Sequence, residues 1–518
     1  MNIAYLLTRT ASKSADQIAT IYGEAQQTYG VLNRRVSRLA DALKRLGVPA
    51  GGRVGIICDS EPRGLESLLG PLRAGLVLVP MNPKLHPAEH AYILGNCRAS
   101  AVLCGPRYAR NLMEIREKLP ADMAIIAFDA KRSGLGSALD YDELLEGAGE
   151  SVEDAAVSGD DLAWIFYTSG TTGNPKGAML SHRNLLTMAM TQMLDVTPVK
   201  SGDRLAYVAP ISHSSGLMAF QHIARGAGHV FPTYQSFSAK GYFDLVERCE
   251  VTTTFMVPTM IQLLLEEPSR DDYDLSSLHT IVYGGSPMYV DRLRDAIGVF
   301  GRIFVQIFAQ GEAPMACTVL PKDEHVLDCD SGVRRLASAG RECVSVEVRI
   351  VDADGKPLPA DATGEIVVRS DLVMKGYWND SEATARTLQG GWLHTGDIGH
   401  MDDQGYLFIT DRSKDMIITG GYNVYPREIE EILYRHPAVR EASVFGIPDR
   451  KWGESIVVAL SLRGEADVSS EEIVNYCRDN LAGYKKPSAV HFLDALPKSG
   501  YDKILKRELR RMLYPDVT

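Results

Sequence analysis

The chain has 518 residues, 45% of them hydrophobic and 23% charged, with a formal net charge of −11 at pH 7. Single hydrophobic cores stop growing at roughly 250 to 300 residues, so we expect at least two domains. The acidic balance argues against a nucleic-acid partner, because such proteins usually present a basic surface. It leaves anionic small-molecule substrates open, since a local basic site can lie in an acidic protein.

The eight cysteines are scattered and include no Cys-x-x-Cys pair, a pattern typical of neither a disulfide framework nor a zinc site. We therefore expect a reducing, cytoplasmic location. The N-terminus is a poor signal peptide, and no run of about 18 apolar residues predicts a transmembrane segment. Peripheral membrane association stays open.

Helical and strand-like stretches alternate along the first part of the chain. Apolar residues recur at helical spacing over residues 32–46, and Gly47 follows as an expected helix end. Short apolar runs at residues 53–58, 75–80 and 101–104 predict buried strands. Strands separated by helices favour parallel sheets, and hence an α/β fold.

A second organisation begins after about residue 333. Two strand-like runs, 347–352 and 364–369, flank an Asp-Gly turn and predict a β-rich subdomain. Near residue 412 the chain becomes polar, and a helix is expected to start at Pro426. We place the domain boundary here, giving a large domain at 1–411 and a small C-terminal domain at 412–518.

Residues 167–177 read YTSGTTGNPKG and follow a predicted buried strand at 162–166. Glycines let backbone N–H groups approach an anion, and hydroxyls and a lysine add donors and charge, so the segment suits a polyphosphate. The spacing of a P-loop is absent. The alternative is a flexible Gly/Thr turn between a strand and a helix. That alternative explains the segment poorly, because eleven consecutive positions have the residue types of a specific pattern.

This stretch resembles the signature phosphate loop of the adenylate-forming superfamily, which includes acyl-CoA synthetases, firefly luciferase and the adenylation domains of peptide synthetases. Further motifs in the family's order extend the resemblance over nearly the whole chain. It implies a large N-terminal domain of two α/β sheet subdomains and a β-barrel-like subdomain, followed by a small, mobile α+β lid. It also implies that ATP phosphates are bound by Thr168 and by the loop residues Ser169, Gly170, Thr171, Thr172, Gly173 and Lys176.

Two segments resemble the parts of the family that surround adenine. Gly284, Gly285 and Ser286 match the adenine-proximal turn, although a tight strand-to-helix turn is an equal alternative for this motif alone. In the segment 306–312, QIFAQGE, the resemblance places Phe308 against adenine, with Ala309 and Gln310 beside it.

The same segment ends at Glu312, which the resemblance assigns to Mg²⁺ together with Thr168; carboxylate oxygen is a suitable ligand for that cation. The segment departs from the family pattern twice. Ala309 replaces a glycine, and Gly311 replaces the threonine whose hydroxyl lies near the α-phosphate. Either Gln310 or water takes over that contact, or activity is reduced.

Later motifs complete the nucleotide site. Residues 391–399, GWLHTGDIG, match the segment whose aspartate, here Asp397, accepts hydrogen bonds from the ribose. Ile409 and Arg412 are expected beside the same nucleotide. Lys503 matches the catalytic lysine that closes over the carboxylate and the α-phosphate, with Asp502 where the family has glycine.

The resemblance also implies a second step in which an external thiol takes the acyl group. The lid would turn about Lys414 and bring in Gly420 and Gly421, which leave room for a pantetheine arm. Coenzyme A would be held by Trp452, Tyr484 and Lys486, although a basic pair is usually only a solvated surface. A carrier protein is the alternative acceptor.

His213 matches a histidine near the acyl pocket, where it would gate the pocket or contact the carboxylate; a packed structural histidine is an equal alternative. No acidic residue stands out to bind an amino group, so we expect a hydrophobic monocarboxylic acid. Three hypotheses remain: a CoA ligase, an enzyme that passes its adenylate to a carrier protein or partner enzyme, and a nucleotide-binding protein without turnover. A homodimer is possible by analogy with relatives.

Overall fold

The computed structural model describes residues 1–515 except 169–174, 235, 287, 413–414, 420–421, 451, 465 and 499–503. Helices and strands alternate through most of this part of the chain. Four sheets result, and the α/β class predicted from the sequence is confirmed.

The strands are numbered in chain order. The first sixteen are β1 Ile18–Tyr22, β2 Ala25–Thr28, β3 Arg53–Ile57, β4 Val77–Pro80, β5 Ala99–Cys104, β6 Ala124–Ala127, β7 Leu139–Asp140, β8 Leu162–Thr168, β9 Lys176–Ser181, β10 Arg204–Ala206, β11 Gly228–Phe231, β12 Thr253–Met256, β13 Thr280–Tyr283, β14 Phe304–Gln310, β15 Ala313–Leu320 and β16 Arg341–Glu342. The others are β17 Val346–Val351, β18 Gly364–Ser370, β19 Leu388–Gln389, β20 Trp392–Met401, β21 Leu407–Arg412, β22 Ile417–Thr419, β23 Tyr422–Val424, β24 Val439–Asp449, β25 Gly453–Leu462 and β26 Ala489–Phe492.

The α-helices are numbered in the same way. They are α1 Tyr5–Lys13, α2 Tyr29–Arg45, α3 Pro62–Arg73, α4 Pro87–Asn96, α5 Pro106–Glu114, α6 Tyr141–Glu146, α7 His182–Thr191, α8 Ser214–Leu217, α9 Ala219–Arg225, α10 Ala239–Cys249, α11 Pro258–Glu266, α12 Val290–Phe300, α13 Asp330–Arg335, α14 Ser381–Thr387, α15 Pro426–Tyr434, α16 Ser470–Asn480 and α17 Lys506–Leu513. A π-helical turn, Gln192–Val196, continues α7.

Helix α2 shows how the sequence pattern sets local structure. Thr28 caps its start by accepting a hydrogen bond from the Val31 amide. Leu32, Leu39 and the other apolar residues at the same spacing are buried, and each such burial contributes roughly 1.5–3 kcal/mol. The helix ends just before Gly47, which takes the left-handed φ of 78° expected of a glycine there.

Two large sheets carry the first part of the fold. The seven-stranded sheet has the order β7-β6-β5-β3-β4-β8-β9 and is parallel except for β8 with β9. The nine-stranded sheet has the order β16-β15-β14-β13-β12-β10-β11-β1-β2, with parallel strands at its centre. Strands β8 and β14, which carry the predicted phosphate and adenine segments, lie in different sheets, so the predicted site falls between them.

Two smaller sheets follow. Strands β17 to β21 form a five-stranded antiparallel sheet that includes the predicted β-rich hairpin. Strands β22 to β26 form the second sheet, packed by α15 and α16. Buried residues from Ile417 onward form two core clusters of their own, separate from the three clusters before them. The domain boundary near residue 412 stays a prediction that this separation supports.

No helix within the described ranges is both long and apolar enough to cross a bilayer. All eight cysteines are free thiols, and only Cys329 is exposed. The thiols of Cys104 and Cys343, like most of the others, have pKa values raised by burial.

Buried histidines predict a loss of stability in mild acid. Burial lowers the pKa values of six histidines, to about 3 for His213 and about 4 for His182, His222 and His325. The other two are His90 and His229. Unfolded histidines have pKa values near 6.5. The unfolded chain therefore binds more protons than the folded chain below that pH, and the free energy of unfolding falls as pH drops from about 6.5 towards 4.

We expect the melting temperature to be nearly constant from pH 8 to 7 and to fall steeply between pH 6.5 and 5. Each histidine contributes up to about 1.4 kcal/mol per pH unit within its window. His222→Gln removes one contributor and flattens the pH dependence. A melting temperature that is unchanged between pH 7 and 5 contradicts the prediction.

Candidate active site

The predicted phosphate loop joins two antiparallel strands. Strand β8 ends at Thr168 and β9 begins at Lys176, and these two residues are paired across the strands. The loop residues Ser169, Gly170, Thr171, Thr172 and Gly173 lie outside the described residues, so their roles stay predictions. The alternative of a simple strand-to-helix turn is wrong, because β9 follows the loop and helix α7 begins only at His182.

Glu312 lies at the end of this loop. Its Oε1 accepts hydrogen bonds from the Thr168 hydroxyl at 3.3 Å and from the Tyr377 hydroxyl at 2.7 Å. Burial and the nearby Glu312 carboxylate raise the pKa of Tyr377, which therefore remains a donor. The predicted pair of Thr168 and Glu312 is thus brought together from two sheets.

Tyr377 is a site residue that the sequence reasoning missed. It lies in a segment that runs antiparallel to β9 and extends the edge of its sheet, since Tyr377 is bridged to Ala178. The Trp378 amide donates a hydrogen bond to the Gly177 carbonyl at 2.7 Å. The Lys176 ammonium lies 5.4 Å from the Tyr377 ring centre and 4.0 Å from Asp380. The sequence signal that could have identified Tyr377 is the stretch GYWND, whose aromatic and acidic residues lie between a strand and a helix.

Gly311 has a packing reason for its departure from the family pattern. A Cβ atom here would lie 2.5 Å from Thr168 Cγ2 and 2.8 Å from Phe166 Cδ1. Real Cβ atoms do not approach so closely, and Thr168 and Phe166 are fixed by strand β8. A threonine at 311 therefore does not fit this arrangement.

We expect Gly311→Thr, which restores the usual family residue, to lower the adenylation rate and to destabilise the fold by about 1–3 kcal/mol through overpacking. Pyrophosphate exchange and the melting temperature measure the two effects. Gly298→Thr, at an exposed position of helix α12 with open space around the new Cβ, is the control. A Gly311→Thr variant more active than the wild type contradicts the packing argument.

Gln310 and Asp397 form the predicted ribose side of the site. The Gln310 side-chain amide donates to Asp397 Oδ2 at 2.6 Å and to the Thr395 carbonyl at 2.9 Å. Asp397 is 5% exposed. Its backbone pairs across the strands with that of Arg412, whose side chain lies outside the described residues. Gln310 therefore positions the predicted ribose-binding carboxylate.

Ile409 lies two cross-strand residue pairs away from Asp397. It pairs with Gly399 in β20, and its carbonyl accepts a hydrogen bond from Arg427 at 2.6 Å. The predicted contact of Ile409 with the nucleotide stays a prediction.

The predicted adenine segments lie at the ends of β13 and β14. A Cβ on Gly284 would lie 2.6 Å from the Ile307 carbonyl oxygen, and Gly285 has a φ of 82°, so both positions require glycine. Ser286 follows them at the turn. Phe308 is only 9% exposed and belongs to the largest core cluster, whereas Ala309 is half-buried. The structure thus gives Phe308 a packing role, and its contact with adenine stays a prediction.

His213 lies beside the phosphate strand. Its ring contacts Phe166 edge-on, with centroids 5.0 Å apart, and its Nδ1 is 2.8 Å from the Ser212 hydroxyl. Burial lowers its pKa to about 3, so the imidazole is neutral at physiological pH. His213 can therefore shape the site or share a hydrogen bond, but it supplies no positive charge.

The predicted coenzyme A residues are exposed on the C-terminal sheet and its neighbours. Trp452 is 51% exposed and Tyr484 is 43% exposed, and Tyr484 stacks on Tyr422 at 4.6 Å. Lys486 is exposed, whereas Lys485 is paired with Glu428. Lys414, Gly420, Gly421, Asp502 and Lys503 lie outside the described residues, so their roles stay predictions.

A buried contact joins the adenine turn to helix α15. Tyr289, four residues after Gly285, stacks on Tyr434 with centroids 3.9 Å apart and donates to Glu430 at 3.3 Å. Glu430 also accepts from the Val444 amide at 2.9 Å and lies 3.2 Å from the Lys506 ammonium. One carboxylate thus connects the nucleotide turn to the start of the last helix.

Comparison with known proteins agrees with these motifs. A family model described as AMP-binding enzyme matches residues 7–378, and one described as AMP-binding enzyme C-terminal domain matches residues 428–503. Feruloyl-CoA synthase of Amycolatopsis sp is 36% identical over 512 residues, 97% of each chain. The fatty acid–[acyl-carrier-protein] ligase ScoC of Streptomyces coeruleorubidus is 33% identical, over 94% of this chain and 92% of its own.

Among solved structures, the anthranilate CoA ligase AuaEII in complex with anthranoyl-AMP gives a TM-score of 0.89 at 26% identity, over 99% of this chain and 97% of that one. The resemblance inferred from the sequence motifs is confirmed. Because a family model covers most of the chain and the site motifs occur in the expected order, this protein belongs to the AMP-binding enzyme family of adenylate-forming ligases.

Proposed function

We propose that the protein is an acid–thiol ligase that converts a hydrophobic carboxylic acid and ATP to an acyl-adenylate and pyrophosphate, and then transfers the acyl group to coenzyme A. The observation that carries the proposal is Glu312, held between the hydroxyls of Tyr377 and of Thr168, the last described residue before the phosphate loop. The relatives support it, since their names describe ligases that act on aromatic or fatty acids.

The first step joins two anions, so the site must neutralise charge and align a carboxylate oxygen with the α-phosphorus. In the proposed arrangement Lys176 and the loop hold the outer phosphates. Asp397, oriented by Gln310, accepts hydrogen bonds from the ribose hydroxyls. The attacking oxygen bonds to phosphorus while pyrophosphate leaves, and Lys503 stabilises the charge that develops.

The donor set fits Mg²⁺. Glu312 and Thr168 offer two oxygen ligands, and no cluster of three histidine, cysteine or acidic side chains able to hold a metal occurs among the described residues. Magnesium is usually held by one or two carboxylates together with substrate phosphates, and that is what this site offers. When bound, the ion neutralises phosphate charge.

Exposed residues on the C-terminal surface support coenzyme A as the acceptor of the acyl group. Exposed Trp452 and the stacked pair Tyr422 and Tyr484 offer flat faces to an adenine ring, and Lys486 offers charge to its phosphates. Lys485 is occupied by Glu428, so the basic pair expected from the sequence supplies one exposed charge rather than two. A carrier protein is the second candidate acceptor, and the carrier-protein ligase among the relatives favours testing it.

The decisive experiment is a panel of aliphatic, aromatic and alicyclic acids incubated with ATP and read by mass spectrometry. Pyrophosphate and an acyl-adenylate are expected with at least one class. Addition of coenzyme A or of a holo-carrier protein then identifies the acceptor. If no acid releases pyrophosphate, the protein binds nucleotide without turnover; Gly311 gives no support to that alternative, because packing explains it.

In the proposed mechanism the C-terminal lid takes one orientation for each half-reaction, and Glu430 stabilises the orientation seen here. We expect Glu430→Gln to weaken the bonds to Tyr289 and Lys506 and to move the two half-reaction rates in opposite directions by roughly 10- to 100-fold, the size of a hydrogen bond to a charged group. Pyrophosphate exchange measures one rate and thioester formation from supplied acyl-adenylate the other. Glu431→Gln, the neighbouring position, is the control; rates that move together contradict the two-orientation lid.

A further inference from the structure

Two fully buried glutamines form a hydrogen-bonded chain behind Glu312. The Gln192 amide donates to the Met315 carbonyl at 2.6 Å, and the Gln221 amide donates to the Gln192 oxygen at 3.2 Å. Both glutamines have no exposed surface. Pairs of this kind are rare in cores, because amide groups lose their hydration on burial.

The donor-to-acceptor direction of these hydrogen bonds is fixed by the Met315 carbonyl at one end. A backbone carbonyl only accepts hydrogen bonds, so Gln192 must turn its NH₂ group to Met315 and its oxygen to Gln221. Gln221 must then use its own NH₂ group, and its oxygen is left over. That oxygen is buried and has no hydrogen-bond partner in the part of the chain that the structure describes. A buried acceptor without a donor is unfavourable, so this oxygen needs a donor from outside the described residues, such as a water molecule or a ligand.

The backbone is irregular at two of the three residues that this hydrogen-bonded chain joins. Gln192 begins the π-helical turn that extends α7, and Met315 has a φ of 66°, which is rare for a residue with a side chain. π-Helical turns and strained residues are costly and are found preferentially at functional sites. The glutamine pair is therefore built at some cost to the fold.

Residues that are next to the pair in sequence, or hydrogen-bonded to it, connect it to the proposed active site. Met315 follows Glu312 by three residues. Phe220 is next to Gln221 in sequence, and its ring contacts Trp164. Trp164 in turn stacks on Phe166, whose ring contacts His213. An acid whose carboxylate lies near Glu312 and His213 would extend its other end into this region.

We propose, on the basis of the proposed function, that the Gln221 side-chain oxygen accepts a hydrogen bond from a neutral hydroxyl or amino group on the acid, remote from the carboxylate. The substrate class is thus a largely apolar acid that carries one hydrogen-bond donor. The partners of the pair are amide and carbonyl groups, so a neutral donor suits the site better than an ammonium ion. A site that binds a substrate hydroxyl rejects the analogue without it, because the acceptor is then left unpaired.

The test compares pairs of acids that differ by one hydroxyl group, such as 3-phenylpropanoate with its ring-hydroxylated forms and octanoate with its hydroxylated forms. The readout is kcat/KM for ATP-dependent pyrophosphate release. The wild type is expected to prefer one hydroxylated member by roughly 10- to 100-fold, the cost of leaving a buried acceptor unpaired, with the difference mainly in KM. Gln221→Met, which keeps the volume and removes the acceptor, is expected to abolish or reverse this preference.

The control variant is Gln262→Met, at a partly exposed glutamine on α11 that donates to Glu266. It should retain the wild-type preference. If the wild type adenylates acids but treats every pair alike, the inference is wrong and the proposed function stands, a result that needs no variant to fold. If no acid of either kind is adenylated, the proposed function itself fails. A preference that persists in a folded Gln221→Met protein also overturns the inference.

Discussion

Glu312→Gln is expected to reduce acyl-adenylate formation by roughly 10²- to 10³-fold, the usual effect of removing a charge that acts on the transition state. The substitution preserves size, and the new amide oxygen can still accept from the Thr168 and Tyr377 hydroxyls. The loss is therefore one of charge and of a cation ligand rather than of packing. Pyrophosphate exchange at saturating ATP measures it, and titration with Mg²⁺ should show a higher half-saturating Mg²⁺ concentration than in the wild type.

Glu324 offers a matched control. It too accepts a tyrosine hydroxyl, that of Tyr406 at 2.6 Å, but it lies in a short turn after β15. Glu324→Gln should keep adenylation within about twofold, as expected for a carboxylate outside the reacting centre. Equal losses in the two variants would point to a general effect of removing buried acids, and an active Glu312→Gln would remove Glu312 from the mechanism.

The fold was largely predictable because its signals are local. The helix over residues 32–46 and the strands near residues 53, 77 and 101 follow from apolar spacing and helix-end signals, which the structure reproduces. The order of strands within each sheet is not local. Strand β8 lies between β4 and β9, and no pattern within residues 162–168 specifies those neighbours.

Candidate site residues could be predicted where a single motif contains them. They could not be predicted where the site depends on contact between two segments that are distant in sequence. Glu312 and Asp397 were singled out by their motifs, and the structure places Glu312 beside Thr168 and Asp397 beside Gln310, while their roles stay predictions. Tyr377 was missed because its role depends on an edge pairing with β9 that only the fold creates. From the sequence, Gly311 indicated a lost contact to the α-phosphate. Only the distances to Thr168 and Phe166 show that packing requires a residue without a side chain here.

Lys503→Ala is expected to separate the two half-reactions more sharply than any other change. In the proposed mechanism the lysine acts on the carboxylate and α-phosphate only while the adenylate forms. Adenylation should fall by roughly 10²- to 10³-fold, because one charged group leaves the transition state. Thioester formation from supplied acyl-adenylate should stay within a few-fold of the wild type. Single-turnover assays of each step, read by mass spectrometry, make the comparison.

Lys498→Ala provides the control from the same stretch of chain. Lys498 pairs with Glu441 at 2.5 Å, and its backbone bridges to Ile504, so it lies next to the segment 499–503 that contains Lys503. If proximity to the loop were enough, both alanine variants would slow adenylation alike. Because a surface ion pair contributes at most about 1 kcal/mol, Lys498→Ala should change neither step more than a few-fold. Equal loss of both steps in Lys503→Ala would mean that one lid orientation serves the whole reaction.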